Sequence, residues 1–180
     1  MLYPIFLDLS GRRCVVVGGG AVAMRKARKL LQAGAEVVVV SPAVLSELES
    51  IGAEIRYRPY EAGDLEGADL AFTATDSREV NAAVAREARE RGVLVNSADK
   101  PSEGDFAVPS TLRRGGLQVA VSTGGASPTL ARRIRKELEA SFGPEWAGVV
   151  EELEAARRKG EAPDEDLEGE VSRCLSRLRG

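Results

Sequence analysis

Gly18, Gly20 and Ala23, in the run Val15-Val16-Val17-Gly18-Gly19-Gly20-Ala21-Val22-Ala23, have the types and spacing to cradle a pyrophosphate. Gly18 permits a tight turn, Gly20 lets backbone N–H groups approach an anion, and Ala23 keeps the following helix close to a sheet. The N-terminus of that helix then faces the anion with its dipole and its free N–H groups. An apolar run over 14–17 leads into the turn, an amphipathic run follows to Gly34, and a second apolar run covers 37–40. This is the strand, turn, helix and strand of a dinucleotide-binding unit; the bland alternative is a glycine-rich turn in an unliganded α/β protein. Ser41 and then Pro42 stand where an acidic residue usually meets the ribose hydroxyls. The motif alone does not separate NAD from NADP, but the lack of an arginine beside Ser41 favours NAD. Ser41 and the backbone at Pro42 and Ala43 are the candidate ribose contacts.

Two further groups follow apolar runs, at the edge where ligands of open α/β sheets bind. Thr75, with Asp76, lies near the expected cofactor path; the competing role for Asp76 is a helix N-cap. Asp99, in Asn96-Ser97-Ala98-Asp99, is placed to move a proton while a cofactor takes a hydride. Its competing role is an Asp-Lys-Pro turn. The chain contains no histidine, so Asp, Glu, Tyr, Lys or the cofactor must carry any proton transfer, and no residue is assigned to a metal. Residues 106–136 contain no acid but include Arg113, Arg114, Arg132, Arg133, Arg135 and Lys136. Within them, Ser122, Thr123, Gly124, Gly125 and Ser127 precede a helix, as an anion site requires. With Arg113 and Arg132 these form a candidate pocket for a polyanionic substrate, against the alternative of a solvated basic face after a capped loop.

The elements that position these groups read as an α/β chain. Strand signals at 54–58, 69–73 and 93–95 and a helix at 77–91 continue the alternation, which implies a parallel sheet of Rossmann type with right-handed crossovers. Residues 106–112 and 117–122 read as a β-hairpin turning over Arg113-Arg114-Gly115-Gly116. A hairpin alone is marginal, and a second copy of the chain is its simplest partner. From Ser127, an N-cap followed by Pro128, the chain turns helical. Leu130, Ile134, Leu138 and Phe142 form one apolar stripe, and further helices are expected over 145–159 and 166–178. The domains expected are a Rossmann domain over 1–105, a dimerisation hairpin over 106–126 and a C-terminal helical domain over 127–180.

With 180 residues, 43% of them hydrophobic, and a net charge of −3, the chain suits a core of ordinary size and no general nucleic-acid binding. No apolar run reaches membrane-spanning length. The opening residues are too short and acidic for a signal peptide. The two cysteines, Cys14 and Cys174, form no framework and read as reduced thiols, so a cytoplasmic location is expected.

Pro4-Ile5-Phe6, Val17-Gly18-Gly19-Gly20-x-Val22-Ala23-x-Arg25-Lys26, Ala74-Thr75-Asp76, Phe106-x-x-Pro109 and 119–128 occur in that order. Together they closely resemble the precorrin-2 dehydrogenase family, the dehydrogenase/chelatase module of siroheme synthase, from about residue 3 to about 142. The resemblance implies oxidation of precorrin-2 to sirohydrochlorin with NAD⁺, in some members also Fe²⁺ insertion, and an intertwined homodimer. It implies cofactor contacts at Ala21, Val22, Pro42 and Ala43, and an aspartate implicated in the chemistry at Asp99. It also implies an anionic tetrapyrrole as partner of the acid-free segment. Thr123 stands where some members have serine. A reading from another class is a non-catalytic NAD-binding regulatory module, which would need no tetrapyrrole pocket.

Overall fold

In β1 (Arg13–Val17) and β2 (Glu36–Val40) every residue after the first is buried, as for strands covered on both faces. The computed structural model describes residues 2–178. The chain divides into two compact units, Met1–Val108 and Pro109–Gly180.

The first unit is a five-stranded sheet in the order β3-β2-β1-β4-β5, with β3 at Glu54–Arg56, β4 at Leu70–Thr73 and β5 at Leu94–Ser97. All its pairings are parallel, and the order reverses between β1 and β4. Side chains alternate between two faces. Cys14, Val16, Val37, Val39, Leu70 and Phe72 pack on one face with Ala23, Ala27 and Leu30 of α1 (Ala21–Gln32). Val15, Val17, Val38, Val40, Ala71 and Val95 pack on the other with Val84, Ala85 and Ala88 of α3 (Arg78–Arg91). A short α2 (Ser46–Glu49) precedes α3 in the chain, and a 3₁₀ turn (Pro101–Glu103) follows β5; the sequence pattern announces neither. β5 runs two residues past the expected 95, because Asn96 and Ser97 pair with Phe72 and Thr73.

In the second unit β6 (Ser110–Arg114) and β7 (Leu117–Val121) form an antiparallel hairpin. Arg113 and Arg114, expected in the turn, are strand residues paired with Gln118 and Leu117. The reason is Gly115, with φ of 54°, which with Gly116 closes the hairpin in two residues. A Cβ on Gly116 would lie 3.0 Å from Val150 Cγ1, so the tip packs closely on α5 (Trp146–Lys159). Ser127 caps α4 (Pro128–Ser141) through Leu130 N, and Asp164 caps α6 (Glu165–Arg177) through Leu167 N. Trp146, Val149 and Cys174 form the small core there, with Leu117 and Phe142 against it. Both cysteines are buried and free. No described helix is long and apolar enough to cross a membrane.

Candidate functional site

The glycine turn sits at the carboxyl edge of β1, and each glycine has a different environment. Gly18 has φ of 125°, and a Cβ there would lie 2.3 Å from Ala74 O. A Cβ on Gly19 would lie 1.9 Å from Ala43 O, and Gly19 O accepts from Leu45 N at 2.9 Å. These two glycines let the ends of β4 and β2 close on the turn, bringing Gly18, Ser41, Ala43 and Thr75 together. Gly20 differs: a Cβ there would meet nothing within 4 Å. It opens α1 without any side-chain cap, whereas Ser77, Ser127 and Asp164 cap α3, α4 and α6. The first N–H groups of α1 therefore face open space, with exposed Ala21 and Val22 beside them. Gly20 thus leaves the start of α1 open, as an anion-binding turn requires.

Around this turn the hydroxyls are spoken for. Ser41 is buried, and its Oγ donates to Ala43 O at 2.6 Å. The exposed surface at the end of β2 is thus Pro42 and Ala43. Thr75 Oγ1 lies 2.8 Å from Asn81 Oδ1, and Asn81 Nδ2 donates to Thr75 O at 3.0 Å. Asn81 is fully buried, and sequence reading missed it. Its signal was an amide beside Val80, Ala83 and Val84 on the apolar face of α3, where only a residue with internal partners can stand. A groove of about 460 Å³ flanks α1, lined by Ala21, Met24, Arg25, Leu45 and Glu47.

Asp99 follows β5 at the same edge. Thr73 Oγ1 accepts from Ala98 N at 3.3 Å, tying the ends of β4 and β5. Ser97 Oγ donates to Asp99 Oδ1 at 3.0 Å, and Arg78 Nη1 lies 3.5 Å from Oδ2. Burial pushes the Asp99 carboxyl up, but the polar groups of Asn81 and Ser97 and the Arg78 guanidinium outweigh it and hold it below the usual carboxylate range. Asp99 is therefore an ionised, oriented carboxylate at neutral pH.

In the second unit the loop after β7 is built by its own side chains. Thr123 Oγ1 accepts from Ser127 N at 3.0 Å and bonds Ser127 O at 3.1 Å, while Ser122 Oγ accepts from Gly124 N at 3.2 Å. A serine could make the same bonds as Thr123. Gly124 and Gly125 both have positive φ and open space at Cβ. Of the basic residues, Arg114 donates to Phe142 O at 2.8 Å and Arg135 pairs with Glu139, so these two serve the fold. Arg113, Arg132, Arg133 and Lys136 are exposed and form no ion pair among the described residues. Among the described residues Arg132 bonds only Thr129 Oγ1, at 3.2 Å. No hydrogen bond joins Arg113 or Arg132 to the Ser122–Ser127 loop among the described residues.

A glycine turn opening an uncapped helix beside the point where a parallel sheet reverses its strand order defines a dinucleotide-binding protein of Rossmann type. Residues 5–110 match the family described as putative NAD(P)-binding, and residues 114–141 match the sirohaem biosynthesis protein central family. SirC, a precorrin-2 dehydrogenase of known structure, is 31% identical, with a TM-score of 0.75 over 87% of this chain and 79% of that one. The siroheme synthase of Methylococcus capsulatus is 46% identical over 160 residues, covering 87% of this chain and 34% of the relative. That of Chromobacterium violaceum is 47% identical over 141 residues, covering 76% and 30%. The chain thus spans about a third of the length of the curated siroheme synthases it matches. It belongs to the family of precorrin-2 dehydrogenases and siroheme synthase N-terminal modules.

Proposed function

We propose that the chain is an NAD-dependent dehydrogenase that oxidises precorrin-2 to sirohydrochlorin. The observation that carries this reading is the likeness to SirC, which extends through 87% of the chain. The dinucleotide cradle and the free cations of the second unit support it.

Bound NAD⁺ supplies a hydride acceptor. Backbone N–H groups at the start of α1 hold the pyrophosphate, with Ala21 and Val22 beside it, and Pro42 and Ala43 meet the ribose. Asp99, ionised and oriented by Ser97, guides the proton that the substrate loses with its hydride. Arg113 and Arg132 attract the carboxylates of the tetrapyrrole, with Ser122, Thr123, Gly124, Gly125 and Ser127 offering the loop and helix start as a further anion contact. The working form is a homodimer in the cytoplasm, built through the hairpin and α4. Two apolar residues of α4, Leu130 and Ile134, are 49% and 38% exposed, as an interface would leave them in one protomer.

Anaerobic incubation with precorrin-2 and NAD⁺ tests the reading. The expected result is NADH formed in step with the more conjugated product. Tight NAD⁺ binding with no turnover would replace it with the non-catalytic regulatory module.

A further inference from the structure

Lys26 is a half-buried ammonium with no carboxylate. It stands on α1, six residues after the exposed Gly20 that opens the helix. Its Nζ donates to Asn96 Oδ1 and lies 5.1 Å from the centroid of the Phe72 ring. It forms no salt bridge among the described residues, and it is the one α1 side chain there that hydrogen-bonds outside its helix. An ammonium so placed costs the fold stability that a methionine of similar volume would not. Groups of that kind cluster at functional sites.

Its partner shows what it acts on. Asn96 is buried near the end of β5, and its Nδ2 donates to Phe106 O at 2.8 Å. Asp105 N donates to Val95 O at 2.8 Å, and Asp105 Oδ2 accepts from Val95 N at 2.9 Å. Phe106 meets Phe72 edge-on with centroids 5.5 Å apart. Residues 104–106 are thus fastened along β5, and Asn96 is the clasp. The next residue, Ser97, points to the opposite face, as strand alternation requires, and orients Asp99. A path runs from the cofactor helix through the Lys26–Asn96 bond, the backbone joining Asn96 to Ser97, and the Ser97–Asp99 bond.

We infer that Lys26 is a positioning residue: through Asn96 it fixes the end of β5, and thereby the place of the Asp99 carboxylate relative to the helix that holds the cofactor. This rests on the dehydrogenase reading above. Burial, with help from Arg25 and Lys29 on the same helix, brings the Lys26 ammonium down to about 8. Phe72 of β4 and Asn96 of β5 do not titrate, and the Asp105 carboxylate is engaged by Val95 N. The charged form is the stronger donor to Asn96, so the link weakens as pH rises through about 8.

Lys26→Met and Lys26→Arg test the inference through two readouts. The first is the carboxyl titration of Asp99 by NMR, which needs no substrate. In Lys26→Met the Asp99 midpoint is expected to rise toward the ordinary carboxylate value, and in Lys26→Arg to stay near that of the unaltered protein. The second is turnover with precorrin-2. Lys26→Met is expected to lower kcat by about 10- to 100-fold, the loss that misplacing a reacting group by about 1 Å can bring, with NAD⁺ affinity unchanged. It should also lack the fall in kcat above pH about 8, while Lys26→Arg recovers most of the turnover and moves that fall to higher pH. A thermal midpoint for Lys26→Met no lower than that of the parent excludes simple misfolding. An unchanged Asp99 titration overturns the inference even if precorrin-2 proves not to be the substrate. Parent-like kcat in Lys26→Met, or Lys26→Arg no better than Lys26→Met, overturns it as well. An inactive parent counts against the dehydrogenase reading instead.

Discussion

Gly18 lies against the backbone of Ala74 so closely that a methyl group on it would sit 2.3 Å from the Ala74 carbonyl oxygen. Two residues on, Gly20 faces open space. The two glycines of one motif therefore do different work, and substitution separates them. Gly18→Ala forces a side chain onto a backbone with φ of 125° and into a neighbouring strand end. The expected cost is about 3 kcal/mol of stability, read as a lower thermal midpoint. At Gly20 an added Cβ has no protein atom within 4 Å, so Gly20→Val should keep its fold to within about 1 kcal/mol. Its side chain occupies the place of the pyrophosphate, and NAD⁺ affinity should fall by about 100-fold or more, the worth of two lost charge-assisted bonds. Calorimetry on the folded variant checks this, and retained affinity would make the turn purely structural.

The dinucleotide should be NAD⁺ rather than NADP⁺. The end of β2 exposes Pro42 and Ala43, the Ser41 hydroxyl is turned inward to Ala43 O, and Glu47 lies along the same groove as Arg25. Arg25, Arg28 and Lys29 also line that groove, so the assignment rests on the lack of a basic residue at 41–43 itself. Titration of both cofactors should give the tighter affinity for NAD⁺, and equal affinity would refute the assignment.

Replacing both Leu130 and Ile134 with glutamate should convert a dimer to monomers. Both side chains are exposed on α4, where added charge costs little within one chain and much within an apolar interface. Light scattering at micromolar concentration reads the result. A parent protein that is already monomeric would sink the dimer.

The strands and the two long helices of the first unit were legible because their signals are local, whereas the short α2 and the 3₁₀ turn were not. The apolar runs at 14–17 and 37–40 and the apolar face of α3 each announce an element within a few residues, though the cap of α3 is Ser77 and not Asp76, the residue the sequence offered. The hairpin was legible as a hairpin, but its turn reads two residues too wide in sequence. Arg113 and Arg114 look like turn residues until one sees that Gly115-Gly116 closes the strands alone. The glycine turn was legible from its spacing. The division of labour between Gly18 and Gly20 was not, since it depends on how β4 and β2 approach the turn. Asn81, Asn96 and Lys26 were missed as parts of the site for the same reason. Each is an ordinary polar residue in sequence and takes its role from a partner that only the fold supplies: Asn81 from Thr75, Asn96 from Phe106, and Lys26 from Asn96, 70 residues on. By its ordinary pKa a lysine stays protonated near neutral pH, whereas burial brings Lys26 down to about 8.

That depression has a consequence for stability. The Lys26 ammonium titrates at about 8 in the folded chain against 10.5 ordinarily. Between those values the unfolded chain binds more protons, so this group's contribution to stability rises with pH. Below pH 8 the folded chain carries the full penalty of the half-buried charge; above about 10.5 it carries none. Lys26→Met never carries it. The variant should therefore be more stable than its parent at neutral pH, by about 1–3 kcal/mol, and the difference should close as pH rises from 8 to 10.5. Comparing the two proteins cancels Cys14, which burial pushes up to about 11 and which acts in the opposite sense. Urea unfolding at several pH values measures the gap, and one that does not vary with pH would contradict the sign.

Asp99 is the residue on which the chemistry should depend most. Precorrin-2 must lose a hydride and a proton together, and with NAD⁺ taking the hydride a fixed negative charge beside the breaking C–H bond stabilises the positive charge that develops. The carboxylate is fixed by Ser97 Oγ at 3.0 Å and steadied by Arg78 at 3.5 Å. Held below the usual carboxylate range, it is a weak base but remains charged into mildly acidic solution. Two results follow. Asp99→Ala should lower turnover by about 10²- to 10⁴-fold with NAD⁺ affinity little changed, and Asp99→Asn should fall nearly as far, because it keeps the shape and loses the charge. In the parent, activity should be lost as pH falls through a midpoint below the ordinary aspartate value, because the ionised form is the active one. Ser97→Ala removes one of the groups that hold the carboxyl down, so it should move that acid limb to higher pH while keeping most of the turnover at neutral pH. If Fe²⁺ insertion also occurs on this chain, Asp99→Ala should depress it in parallel. A folded Asp99→Asn enzyme with near-normal turnover would reduce Asp99 to a turn residue before Lys100-Pro101, with the proton leaving to water.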